Sequence, residues 1–120
     1  DNSRLLGTWE NKQPTYTETY IYDGINFDAG SYKMKVKSII WSSDASGIIY
    51  GRYTENTYDS SVVGKYYAVS FKDLTYSSVS ISGAYKKDGK IATDSLVEAI
   101  TEFTINNGYY SFYSSCKKVK

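Results

Sequence analysis

Acid–base and nucleophilic chemistry at neutral pH draws first on histidine and cysteine, and this chain has no histidine and one cysteine, Cys116. Without histidine it can build neither a Ser-His-Asp triad nor a His-ligated zinc site. Cys116 has no imidazole base and is followed by Lys117 and Lys118, so it reads as a strand residue with no chemical role. One thiol forms no internal disulfide, and the compartment cannot be read from cysteine usage.

Carboxylates are the remaining source of general acid–base groups, and the chain has 13 of them. Glycosidase-type chemistry needs two carboxyls facing each other across a cleft. Here Asp23, Asp28, Asp44, Asp59, Asp73 and Asp88 fall in predicted turns, and Glu98 and Glu102 on the wet face of a predicted helix. Only Glu10 and Glu18 lie on predicted strands. The Asp-Gly pairs suggest calcium loops, but no run of spaced acidic ligands ends in a glutamate, so turn chemistry is the simpler account. The expectation is a protein that is not an enzyme and holds neither metal nor cofactor.

The elements that could position a binding site are strands. The 120 residues suit a single domain over 1–120, and 41% hydrophobic with 22% charged residues is a globular composition. The 14 tyrosines favour pleated, half-buried surfaces, where the ring packs and the hydroxyl stays wet. A net charge of +1 with scattered lysines lacks the basic face of a nucleic-acid binder; Lys117, Lys118 and Lys120 read as a solvated tail. No apolar run is long enough to span a bilayer. The polar start at Asp1, leading into Leu5-Leu6-Gly7-Thr8-Trp9, suits an exported protein whose signal or lipoprotein leader has been removed, with room for a lipid anchor upstream of residue 1.

Turn signals recur about every ten residues, the rhythm of a sandwich or barrel. Predicted strands cover Leu5 to Glu10, Thr15 to Tyr22, Ser31 to Trp41, Ile48 to Thr54, Val62 to Lys72, Tyr76 to Tyr85 and Tyr109 to Cys116. Ser42 to Gly47 is a turn, and Asp88-Gly89 a hairpin-type turn. Tyr32, Met34 and Val36 alternate with Lys33, Lys35 and Lys37; Tyr67, Val69 and Phe71 share a face, as do Val79, Ile81 and Tyr85. Leu96, Ala99, Ile100 and Phe103 form a helical stripe, and Ser95 with Glu98 a capping box, which predicts one short helix near 95–104. Open edges template aggregation, and closing the sheet removes them. The fold class expected is all-β, a closed or nearly closed antiparallel up-and-down barrel of about seven or eight strands.

Gly7-Thr8-Trp9, a Gly-x-Trp at the start of the first strand, resembles the opening motif of the lipocalin (calycin) superfamily. The late helix followed by a final strand is similar to the lipocalin arrangement, and the size fits a short bacterial lipocalin-like domain. The resemblance implies that Trp9 plugs the closed end of the barrel, with Gly7 letting the chain bend beneath it. An arginine stacks over this tryptophan in the family; the arginines here are Arg4 and Arg52, and Lys117 is the nearest substitute. Trp41 either caps a barrel end or sits exposed.

If each apolar face points inward, the barrel is lined by Tyr32, Met34, Val36, Tyr67, Val69, Phe71, Val79 and Ile81. These side chains are bulky, so the lumen should be narrow or closed. The function expected is an extracytoplasmic (periplasmic, cell-surface or secreted) monomeric binding protein. Either it holds a small apolar ligand in the barrel, or the barrel is filled and the tyrosine-rich loops grip a protein such as a protease or host factor. An oligonucleotide-binding barrel using exposed aromatics is the third reading, which the near-neutral charge opposes.

Overall fold

A computed structural model describes residues 2–120, so the processed start expected at Asp1 lies outside the described residues. Strands β1 (Gly7–Lys12), β2 (Thr17–Tyr22), β3 (Asn26–Asp28), β4 (Tyr32–Ser43), β5 (Ser46–Asn56), β6 (Tyr66–Lys72), β7 (Ser78–Gly83) and β8 (Ser114–Lys118) pair in chain order into a closed barrel. All pairs are antiparallel, so the chain forms the up-and-down barrel that its turn rhythm predicts. Helix α1 (Leu96–Glu102) lies between β7 and β8; Ser95 accepts from the Glu98 amide at 3.2 Å, and Ala99 and Phe103 are buried. Among the described residues no helix is long and apolar enough to cross a membrane.

Boundaries differ from the sequence reading where side chains stand in for backbone. Leu5 belongs to a 3₁₀ turn, Asn2–Leu5, and β1 starts at Gly7. The short β3 falls in a stretch read as turns; three residues are too few for alternation to register. Ser42 to Gly47 is mostly strand: the turn is only Asp44-Ala45, and the hydroxyls of Ser42 and Ser43 bond Ser46 at 2.8 and 2.7 Å. β6 starts at Tyr66 because Ser60–Val62 forms a 3₁₀ turn capped by Asp59. β7 stops at Gly83, leaving Tyr76 and Tyr85 exposed outside it. Asp88-Gly89 does turn, with Asp88 at φ 62°, but inside the long connection to α1 and not in a hairpin.

The largest displacement is at the last strand, which starts at Ser114 and not at Tyr109. It runs on through the lysines read as a tail, and they close the barrel: Lys117 pairs with Glu10 and Lys118 with Trp9. Two outer hydrogen bonds extend this seam, Val119 N–H to Thr8 O at 2.9 Å and Thr8 N–H to Lys120 O at 2.7 Å.

The end of the barrel holding the seam is plugged. Trp9 is 1% exposed, and its indole N–H donates to the Leu5 carbonyl at 3.0 Å. Lys118 Nζ lies 5.0 Å from the centre of its ring, so Lys118, not Lys117, is the cation over the tryptophan. Gly7 has φ +142°, and a Cβ there would meet the Lys118 side chain at 2.6 Å. Trp41 caps the same end: its ring meets Phe71 edge-on at 5.0 Å, and its N–H donates to Asn2. Above the plug Met34 is fully buried and occupies the space left by Gly51, where a Cβ would lie 2.8 Å from the Met34 Cγ and Sδ.

Two substitutions test this packing by urea unfolding. Trp9→Ala should cost about 3–5 kcal/mol, the penalty for emptying a large aromatic site; a loss below about 1 kcal/mol would mean that Trp9 is no plug. Gly51→Ala should cost about 1–3 kcal/mol by overpacking against Met34.

Candidate functional site

The eight residues expected to line the barrel separate by height. Met34, Val69, Phe71, Val79 and Ile81 are buried within the core and Val36 is half-buried, so the middle of the barrel is occupied by its own side chains. Tyr32 and Tyr67 stand above them at the opposite end from Trp9. There the barrel opens into a cup of about 690 Å³. Its wall takes Glu18 and Tyr20 from β2, Tyr32 from β4, Tyr67 from β6 and Ser114 from β8, with the turn between β3 and β4 at its rim. Tyr85 and Phe112, from either end of the connection between β7 and β8, add two rings 6.1 Å apart that are 58% and 71% exposed.

The aromatic wall is braced by ring contacts and hydrogen bonds. Tyr53 stacks on Tyr67 at 5.1 Å, and Tyr32 meets both rings edge-on, at 5.8 and 5.4 Å. The Tyr67 hydroxyl donates to Ala84 O at 2.7 Å and that of Tyr53 to Ile91 O at 3.0 Å. The Tyr32 hydroxyl has no hydrogen-bond partner among the described residues, yet it is not sealed from the cup. Burial pushes the Tyr32 and Tyr67 phenols well above the ordinary tyrosine range, so both are neutral hydrogen-bonding groups. Burial and then the neighbouring Glu18 carboxylate push Tyr20 up to about 12.

Glu18 is the one charged group in the wall. It lies opposite Asn11 in the β1–β2 ladder, on the strand face shared with Tyr20 and Tyr22. Its Oε1 accepts from Asn11 Nδ2 at 2.8 Å and from Ser114 Oγ at 2.7 Å, while Oε2 receives only a long contact from the Tyr20 hydroxyl, 3.3 Å. Partial burial favours the neutral acid, but the bonds from Ser114, Asn11 and Tyr20 together outweigh it and hold the carboxyl below its ordinary value. It belongs to neither of the ion pairs among the described residues, Lys33–Asp28 and Lys65–Asp94.

Sequence reasoning placed Glu18 on a strand and gave it no role. The alternation of Glu18, Tyr20 and Tyr22 was the available signal, since it puts a carboxylate on the face that carries the rings. Cys116 is buried, and burial pushes its thiol up to about 11, which keeps it in the neutral, less nucleophilic form at neutral pH. Glu10 pairs with Lys117 across the closing seam. Among the described residues no group of three or more histidine, cysteine, aspartate or glutamate side chains could hold a metal ion. No family model, curated protein or solved structure matches the chain.

The shifted groups couple the stability of the fold to pH. The folded value of Glu18 lies below its ordinary 4.5, so its contribution is present above pH 4.5 and lost as pH falls through the folded value. Glu18→Gln should flatten the acid side of a melting-temperature-against-pH curve. A wild-type slope in the variant would show that the three hydrogen bonds carry no net stability. The tyrosines act in the opposite direction. Their folded values lie above 10.0, so stability is intact below that pH and is lost as pH rises towards the folded values. Ultraviolet titration should therefore find Tyr20, Tyr32 and Tyr67 still protonated at pH 10.0 in the folded protein, and ionising together with alkaline unfolding.

Proposed function

We propose that the chain is a non-enzymatic, extracytoplasmic binding protein of lipocalin-like type that holds a small ligand in the cup at the mouth of its barrel. The observation that carries this reading is a pair of polar groups with hydrogen-bonding capacity to spare above a filled interior. The Tyr32 hydroxyl and one Glu18 oxygen point to the same concave, aromatic-walled space, while Met34, Val69, Phe71 and Ile81 occupy the barrel beneath it. A ligand therefore sits in the mouth and not in a deep lumen. About 690 Å³ is ample for a small molecule, since ordinary ligand sites run from about 300 to 1,000 Å³. The lipocalin-like reading is supported by Gly7, Trp9 and the Lys118 ammonium over the indole. The extracytoplasmic one rests on composition, strands rich in tyrosine, serine and asparagine.

The exposed rings at the rim favour a second reading. Tyr85 and Phe112 stand beside the cup, and Tyr16 is exposed by the groove next to it, so a protein partner could seat a side chain in the cup and pack on these rings. Amide chemical-shift mapping during titration with small aromatic compounds tests the first reading. Shifts confined to residues around Glu18, Tyr20, Tyr32, Tyr67 and Gly83 are expected. Shifts centred on Met34, Val69 and Ile81 would place the ligand in the lumen, and no shifts at the cup would favour the protein-partner reading.

A further inference from the structure

We propose that the cup selects a small organic monocation, an amine on a compact aromatic body. This rests on the cup being the ligand site and goes further, to the charge of what it takes.

The charge balance of the wall is one-sided. Glu18 is the only ionisable group there apart from tyrosines, and no lysine or arginine lines the cup. A carboxylate offers about four acceptor positions. Asn11 and Ser114 occupy Oε1, which leaves Oε2 with one long contact and room for a strong donor. An ammonium is the donor that gains most there, because a charge-assisted bond is roughly twice as strong as a neutral one. The rings reinforce the preference. Tyr20, Tyr32, Tyr67, Tyr85 and Phe112 surround the same volume, and a cation near aromatic faces is attracted to their electron-rich centres. An anion would meet the Glu18 charge with nothing to offset it. A neutral ligand would gain the ring contacts but could not use the carboxylate equally. The chain as a whole carries +1, so the preference belongs to this site and not to the overall field.

Glu18 has a competing explanation, which the same atoms supply. It joins β1, β2 and β8 at the mouth, above a β1–β8 ladder of two residue pairs, and a purely architectural carboxylate would look similar. Stability and selectivity separate the two roles.

The experiment compares phenethylamine, phenethyl alcohol and phenylacetate, a cation, a neutral and an anion on nearly one body, by calorimetry and amide shift mapping on the full chain. The amine should bind about tenfold or more tighter than the alcohol, with phenylacetate weakest, and the shifts should lie at the cup. In Glu18→Gln the amine should fall to the level of the alcohol, with the alcohol unchanged. Ser114→Ala removes one tie of the carboxylate and keeps its charge, so it should retain the selectivity even if stability drops. Should Glu18→Gln fail to fold, the wild-type ratio of amine to alcohol decides. Equal binding of amine and alcohol at the cup overturns the cation preference and leaves the cup reading standing, whereas selectivity that survives Glu18→Gln overturns the assignment of that preference to the Glu18 carboxylate. No cup shifts with any of the three probes overturns both the preference and the cup reading.

Discussion

Trp9 sits where the sheet closes on itself, opposite Tyr20 of β2 and Lys118 of β8, with its N–H on the Leu5 carbonyl. A barrel removes the exposed edges of a sheet only if its first and last strands stay together. Here those strands share two ladder pairs and two flanking hydrogen bonds, too few for backbone pairing to hold alone. Trp9 adds a large buried surface at that point, and its hydrogen bond ties down the 3₁₀ turn that covers the end of the barrel. Gly7 and Lys118 follow from it. One lets the chain pass beneath the Lys118 stem, and the other sets an ammonium above the ring instead of in solvent.

From this plug upward the interior changes character. Near the closed end the side chains are mostly apolar, with the Trp9 and Trp41 N–H groups bonded to Leu5 and Asn2; towards the mouth tyrosines predominate, whose hydroxyls must be satisfied when buried. The long connection from β7 to β8 supplies the acceptors. Phe103 O accepts from both Tyr50 and Tyr110, Ala84 O from Tyr67 and Ile91 O from Tyr53. At about 1 kcal/mol each, these bonds fasten a segment that has little regular structure beyond a seven-residue helix. The tyrosine excess therefore does more than favour strands: it pins the connection to the barrel and so places Tyr85 and Phe112 beside the cup.

Much of this architecture was legible because it obeys local periods. The Tyr32-Met34-Val36 and Tyr67-Val69-Phe71 alternations and the Leu96-Ala99-Ile100-Phe103 stripe each have a face that the structure buries wholly or in part. What local pattern could not reveal was pairing at a distance. Lys117 and Lys118 look like a tail until β1 lies beside them, and β3 is a strand only because β2 and β4 flank it. The candidate site was harder still. Choosing inward-facing apolar residues selects what fills a barrel, so five of the eight named are buried packing residues, and Tyr32 and Tyr67 alone reach the cup. Glu18 escaped because a lone strand carboxylate has no motif; its meaning comes from Asn11 and Ser114, which lie 7 and 96 residues away in sequence.

That placement also explains why the mouth is open. Towards the closed end, Trp9, Phe71, Val79 and Ile81 are buried in one core cluster. Towards the mouth, β1 and β8 have no residue pair beyond Glu10–Lys117, and past Val69–Gly83 β6 and β7 are joined by the bond from Ala84 N–H to Ala68 O, with polar side chains adding further ties. A carboxylate is suited to such a gap because it accepts from several strands at once, but it does so as a charge held at the edge of an aromatic cavity. The hydrogen bonds that tie the strands also stabilise that charge, and they leave one oxygen under-used. The same local thinning of the ladder that Glu18 bridges therefore leaves the carboxylate at the edge of open space.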